Sequence, residues 1–79
     1  MEISLLDLQS GQKGLIKELT GGETFQKKLA SLNIRAGKTI KKITQQPFNG
    51  PVVIEIDNTK ATIGMNMAKK IVLEPLEAK

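Results

Sequence analysis

Glu55 and Asp57 are the two side chains of this sequence best spaced for chemistry. They stand at i, i+2 in "VIEID", so an extended strand would put both on one face. Two carboxylates so placed can serve as an acid/base pair or hold a hard cation. Solvated strand faces carry such pairs routinely, and that is the plainer reading. Met65 and Met67 form a Met-x-Met pair, whose thioethers suit cuprous copper. There is no histidine or cysteine to join them, so packing of a short turn accounts for them better. The same two absences remove the commonest general base, the thiolate nucleophile and the thiolate zinc site. Ser4, Ser10 and Ser31 have no histidine to activate them. The chain is read as a non-enzyme, with no catalytic residue, no cofactor and no metal ligand assigned.

Charge is the other resource. Twelve Lys and Arg against eight Asp and Glu give a net charge of +4, which favours anionic partners. Lysines come in pairs: Lys27-Lys28, Lys41-Lys42 and Lys69-Lys70. Small barrels that bind single-stranded nucleic acid also stack bases on surface aromatics. This chain has two Phe and no Tyr or Trp, so the electrostatic half of such a site is present and the stacking half is nearly absent. "TGGE" at 20–23 puts glycines before a helix start, where an anion could sit. It lacks the Lys-Ser/Thr of a P-loop, and a plain strand-to-helix connection explains it better.

The elements that would position these groups are legible. The 79 residues are read as a single domain, 1–79. No apolar run approaches a membrane span, and "MEISLLDLQSG" has no basic region before its apolar residues, so the chain is read as cytoplasmic and soluble. "SLLDLQSG" (4–11) reads as a helical turn ended by Gly11, and "KGLIKEL" (13–19) as a first strand with imperfect alternation, hence a bulge. "GGETFQKKLASLN" (21–33) is the clearest helix. Phe25, Leu29 and Leu32 make its apolar stripe, Glu23 is spaced to pair with Lys27, and Asn33 suits a left-handed residue after the helix.

"KTIKKIT" (38–44) reads as a second strand, with Ile40 inward and the lysines on the wet side. Pro47, Gly50 and Pro51 in "QQPFNGP" mark a tight corner before Val52, Ile54 and Ile56, which point one way. "DNTK" (57–60) is a hairpin turn, "ATIG" (61–64) returns, "MNMAKK" (65–70) is a short helical turn, and "IVLEP" (71–75) closes, ended by Pro75. Five short strands and one helix in so few residues predict a mainly β fold, a small closed or nearly closed barrel.

The order of these pieces resembles the FeoA family. "SLLDLQSGQKGLI" is similar to the family's Leu-x-x-Leu-x-x-Gly-x-x-Gly opening, and "LASLNIRAGKTI" to its Leu-x-x-Leu-Gly-Ile-x-x-Gly-x-x-Ile. "PFNGPVVIEI" follows Pro-x-x-Gly-Pro-x-x-x-x-Val, and "AKKIVL" follows Ala-x-x-Ile-x-Val. Asn33 stands where the family usually has glycine, and Lys27 and Lys28 where it usually has arginine. The resemblance implies a five-stranded SH3-like barrel with one inserted helix after the first strand. It implies an accessory or regulatory role in ferrous-iron uptake, exerted by protein–protein contact with the cytoplasmic side of a FeoB-type transporter. Any contact with the membrane would come through that transporter.

Lys27, Lys28, Lys41 and Lys42 are the expected partner-binding residues. The alternative is a small basic barrel that binds nucleic acid. A weaker alternative is direct ferrous-iron sensing by carboxylates such as Glu55 and Asp57.

Overall fold

A computed structural model describes residues 1–47 and 50–76 of the chain. Six strands form one antiparallel sheet: β1 (Ile3–Ser4), β2 (Lys13–Leu19), β3 (Thr39–Gln45), β4 (Val52–Ile56), β5 (Thr59–Ile63) and β6 (Ile71–Leu76). Their spatial order is β1-β6-β2-β3-β4-β5. One helix, α1 (Glu23–Ala30), lies between β2 and β3, and a single turn, α2 (Met65–Ala68), lies between β5 and β6. The fold is mainly β and of the small SH3-like barrel type.

The sheet curls around one aliphatic core. Ile16, Ile40, Ile54, Ile63, Ile71 and Leu73 fill it from the strands, and Leu5, Leu29, Ile34 and Ala68 close it from the connections. Strand β4 shows the pattern most plainly. Val52, Ile54 and Ile56 are buried while Val53 and Glu55 are only half-buried, the alternation that a one-sided sheet demands. The irregular alternation of 13–19 does produce a bulge, between Ile16 and Glu18, and β3 has another between Lys42 and Thr44.

Two turns are set by backbone chemistry. At the end of α1, Asn33 takes φ 65°, the Ile34 N–H donates to the Leu29 carbonyl at 3.0 Å, and the Asn33 N–H donates to Ala30 at 2.9 Å. That is a Schellman closure with asparagine in the usual glycine place, and Ile34 folds back beside the buried Leu29. In the β4–β5 hairpin, Asp57 (φ 51°) and Asn58 (φ 64°) are both left-handed, as a type I′ turn requires. Both features are as the sequence predicts.

Several details differ from the sequence reading. A sixth strand exists because Ile3 and Ser4 pair with Leu73 and Val72 of β6, and only Leu5–Asp7 of the expected 4–11 turn is helical, as a 3-10 turn. The helix stops at Ala30, so Leu32 falls past the stripe and is 37% exposed. Strand β5 begins at Thr59, two residues before the expected 61. Pro75 does not end β6. It sits opposite Gly14. β1 reaches only Val72 and Leu73, so among the described residues no strand covers the outer side of Pro75, where its missing N–H costs nothing.

Phe48 and Asn49, in the 47–51 corner, lie outside the described residues. Around them, Gln46 N–H donates to Pro51 O at 3.0 Å, and a Cβ added at Gly50 would fall 2.5 Å from the Gln46 Cβ.

Candidate interaction surface

Glu55 and Asp57 both line one small pocket, together with Lys13, Thr39, Lys41 and Asn58. Glu55 stays on β4, in register with Lys41 of β3 on one side and Lys60 of β5 on the other. Asp57 leaves the strand at its left-handed φ, and its Oδ2 accepts a charge-assisted hydrogen bond from Lys38 Nζ. Each carboxylate thus has lysine neighbours. Among the described residues no three His, Cys, Asp or Glu side chains converge on one point. Met65 and Met67 are both half-buried in α2, with Met67 packed on the core.

The four expected contact lysines do not share one setting. Lys42 is a correction: it is 3% exposed and cannot present its charge to a partner. It follows Ile40 by two residues on the inward side of β3, and its Nζ donates to the carbonyls of Leu6 (3.0 Å) and Leu8 (2.7 Å) and to Gln45 Oε1. Burial pushes its pKa below the ordinary lysine value, and the nearby Asp7 carboxylate partly offsets that.

Lys41 points to the outer face, half-buried between Lys13 and Glu55. Lys27 and Lys28 are exposed on the last turn of α1, where cations complement the helix dipole. Lys27 pairs with Glu23 at 3.2 Å, the i, i+4 partner expected. This pair is too solvated to hold the lysine firmly.

Phe25 bears on the nucleic-acid alternative. Lys70 Nζ lies 5.1 Å from its ring centroid, so a protein cation already occupies that face. Phe48 lies outside the described residues.

A groove that the sequence reading missed runs between α1 and the end of β2. It encloses about 420 Å³, within the usual span for ligand pockets. Leu19, Ala30 and Ile34 line it, with Lys17, Gln26 and Arg35 at its margin. The signal available was the small side chain of Ala30. It lies one turn after Gln26 on the helix and leaves space where a larger residue would fill it.

The family model of the FeoA domain matches residues 3–75. The chain belongs to the FeoA family. A protein of Methanocaldococcus jannaschii named as an Fe(2+) transport protein A is 32% identical over 69 residues, covering 87% of this chain and 82% of that one. Among solved FeoA structures, the crystal structure of an iron uptake regulatory protein (FeoA) superposes with a TM-score of 0.87 at 26% identity, over 96% of this chain and 99% of that one. The solution structure of iron(II) transport protein A from Clostridium thermocellum gives 0.84 at 28% identity, over 94% of this chain and 46% of that one. The FeoA fold also matches part of a manganese-dependent transcriptional repressor, with a TM-score of 0.86 at 18% identity over 42% of that chain; at this identity the likeness is one of fold.

Proposed function

We propose that this FeoA-family chain is a non-enzymatic accessory protein of ferrous-iron uptake that works by docking on the cytoplasmic side of a FeoB-type transporter. The observation that carries the reading is the family match over residues 3–75, joined to a 32% identical relative named for Fe(2+) transport. The site chemistry supports contact over catalysis. Glu55 stands in register with two lysines, Asp57 is bonded to Lys38, and Lys27 and Lys28 are exposed on the last turn of α1. Lys27 and Lys28 lead the contact face and Lys41 contributes from the sheet, while Lys42 holds the fold. Electrostatic contacts of this kind chiefly set the association rate and its salt dependence.

The test is an amide NMR titration of the isotope-labelled chain with the cytoplasmic GTPase domain of the host's own ferrous-iron transporter. Localised, saturable shifts that include the amides of α1 are expected. No shift at high concentration of either partner would overturn this reading.

A further inference from the structure

We infer that the groove between α1 and the end of β2 is a peptide site, and that its occupant is an extended acidic segment of a partner protein carrying one apolar anchor. This deepens the docking reading above and rests on it for the identity of the partner.

The first argument is an open strand edge. Pairing of β2 with β3 ends at Leu15 opposite Thr39, and Ile16 is still held by the Lys38 carbonyl (2.8 Å) and the Gly37 N–H (2.8 Å). Past Ile16, β2 continues to Leu19 with β6 on one side and, among the described residues, no strand on the other. The Thr20 N–H donates to Lys70 O at 2.9 Å. Leu19 is therefore a non-hydrogen-bonded pair with Ile71, and its own amide groups face away from β6. The Leu19 carbonyl is met there by the side-chain amide of Gln26 at 3.3 Å, which also reaches the Gly21 carbonyl at 3.3 Å. An exposed side-chain donor covering a strand edge is readily exchanged for the backbone N–H of an added strand.

The second argument is what lies beside that edge. Half-buried Leu19 and Ala30 and fully buried Ile34 give the groove an apolar floor, and its volume of about 420 Å³ admits a large aliphatic side chain.

The third argument is charge. Arg35 stands exposed at the rim and, among the described residues, forms no ion pair. Its planar fork is suited to receiving a carboxylate on two bonds. Lys17 adds a second cation, only loosely engaged by Glu74 at 3.9 Å. Among the described residues lining the groove, Lys17 and Arg35 stand with Glu18, on a chain of net charge +4, and Arg35 is the cation with no carboxylate paired to it.

The test uses the full isotope-labelled chain and two blocked heptapeptides with the same apolar centre: acetyl-Glu-Asp-Ile-Val-Leu-Glu-Asp-amide and its counterpart with lysine at every acidic position. The acidic peptide is expected to give saturable amide shifts confined to residues 17–19 and 26–36. Arg35→Glu, an exposed substitution that leaves the fold intact, should weaken it by about tenfold or more. Absence of shifts, shifts centred elsewhere, equal binding of the lysine peptide, or an unchanged affinity in Arg35→Glu would each overturn the assignment.

Running the transporter domain in parallel separates the two ideas. If that domain binds and Arg35→Glu leaves its affinity untouched, the groove assignment falls and the docking reading stands. If the acidic peptide binds at the groove and the transporter domain binds nowhere, the docking reading falls and the groove stands.

Discussion

The ammonium of Lys42 donates to the carbonyl of Leu8 at 2.7 Å, tying the middle of β3 to a segment 34 residues earlier in the chain. With the Leu6 carbonyl and Gln45 Oε1 it completes three acceptors around one buried charge. Leu6 lies within, and Leu8 just after, the 3-10 turn Leu5–Asp7 that carries Leu5 into the core. Lys42→Met keeps the stem and deletes the donors, leaving buried acceptors without partners. A loss of about 2–3 kcal/mol is expected from denaturant unfolding. A change below about 0.5 kcal/mol, the range of ordinary surface substitutions, would mean the carbonyls find water instead.

The same lysine sets a pH dependence whose sign can be worked out. Its folded pKa lies below the ordinary value of 10.5, burial being the larger cause and Asp7 the opposing one. Between the two pKa values the unfolded chain holds a proton that the folded chain has released. Stability from this group therefore rises with pH across that window. Below the folded pKa the desolvation cost is carried in full. Asp7→Asn removes the opposing attraction and should lower the Lys42 pKa further, read from the side-chain Cε shift in an NMR titration. An unchanged midpoint would remove Asp7 from the account.

The β4–β5 hairpin offers a gain in stability. Asp57 and Asn58 both hold positive φ, a conformation asparagine tolerates and glycine adopts freely. Asn58→Gly should stabilise the protein by about 0.5–1 kcal/mol by removing left-handed strain, with a matching rise in melting temperature. Asn58→Val should lose more than that, because a β-branched side chain clashes in the left-handed region. If both variants melt with the wild type, the turn conformation is not the one described.

The corner before β4 should behave oppositely. A Cβ at position 50 would lie 2.5 Å from the Gln46 Cβ and 3.1 Å from the Pro47 carbonyl oxygen, and neither atom can swing aside. Gly50→Ala is expected to cost about 1–3 kcal/mol, as overpacking does, and to shift the amides of Gln46 and Val52. Wild-type stability in that variant would show that the corner opens without penalty.

These residues also show what a sequence discloses. The alternation of Val52, Ile54 and Ile56, the left-handed Asn33 and the Asp57-Asn58 turn are local facts, fixed by side-chain period and φ preference, and the structure repeats them. Lys42 departs from the sequence reading because its charged type points to the surface while its position points to the core. The same period that buries Ile40 points Lys42 inward, but the carbonyls that make its burial tolerable come from Leu6 and Leu8, which only tertiary structure brings near. Strand β1 is not legible in the sequence because two residues carry no period. The groove is harder to read because it is lined from two elements, α1 and β2, beside a strand edge left unpaired past Ile16, and only tertiary structure brings these together.

Charge reversal on the helix tests the proposed docking. Lys27→Glu with Lys28→Glu turns the exposed end of α1 from cationic to anionic, while Lys41→Glu alters the sheet face alone. If docking on the transporter uses the helix, the double variant should lose about tenfold or more in affinity, mostly through slower association, with the loss shrinking as salt is raised. Lys41→Glu should cost less, because the carboxylate of Glu55 already tempers that site. Helix stability must be followed in the same samples. Anions near a helix C-terminus cost about 0.3–1 kcal/mol each, and the Glu23 pair is lost as well. A variant that is folded by amide dispersion and still binds like the wild type at low salt would take Lys27 and Lys28 out of the interface.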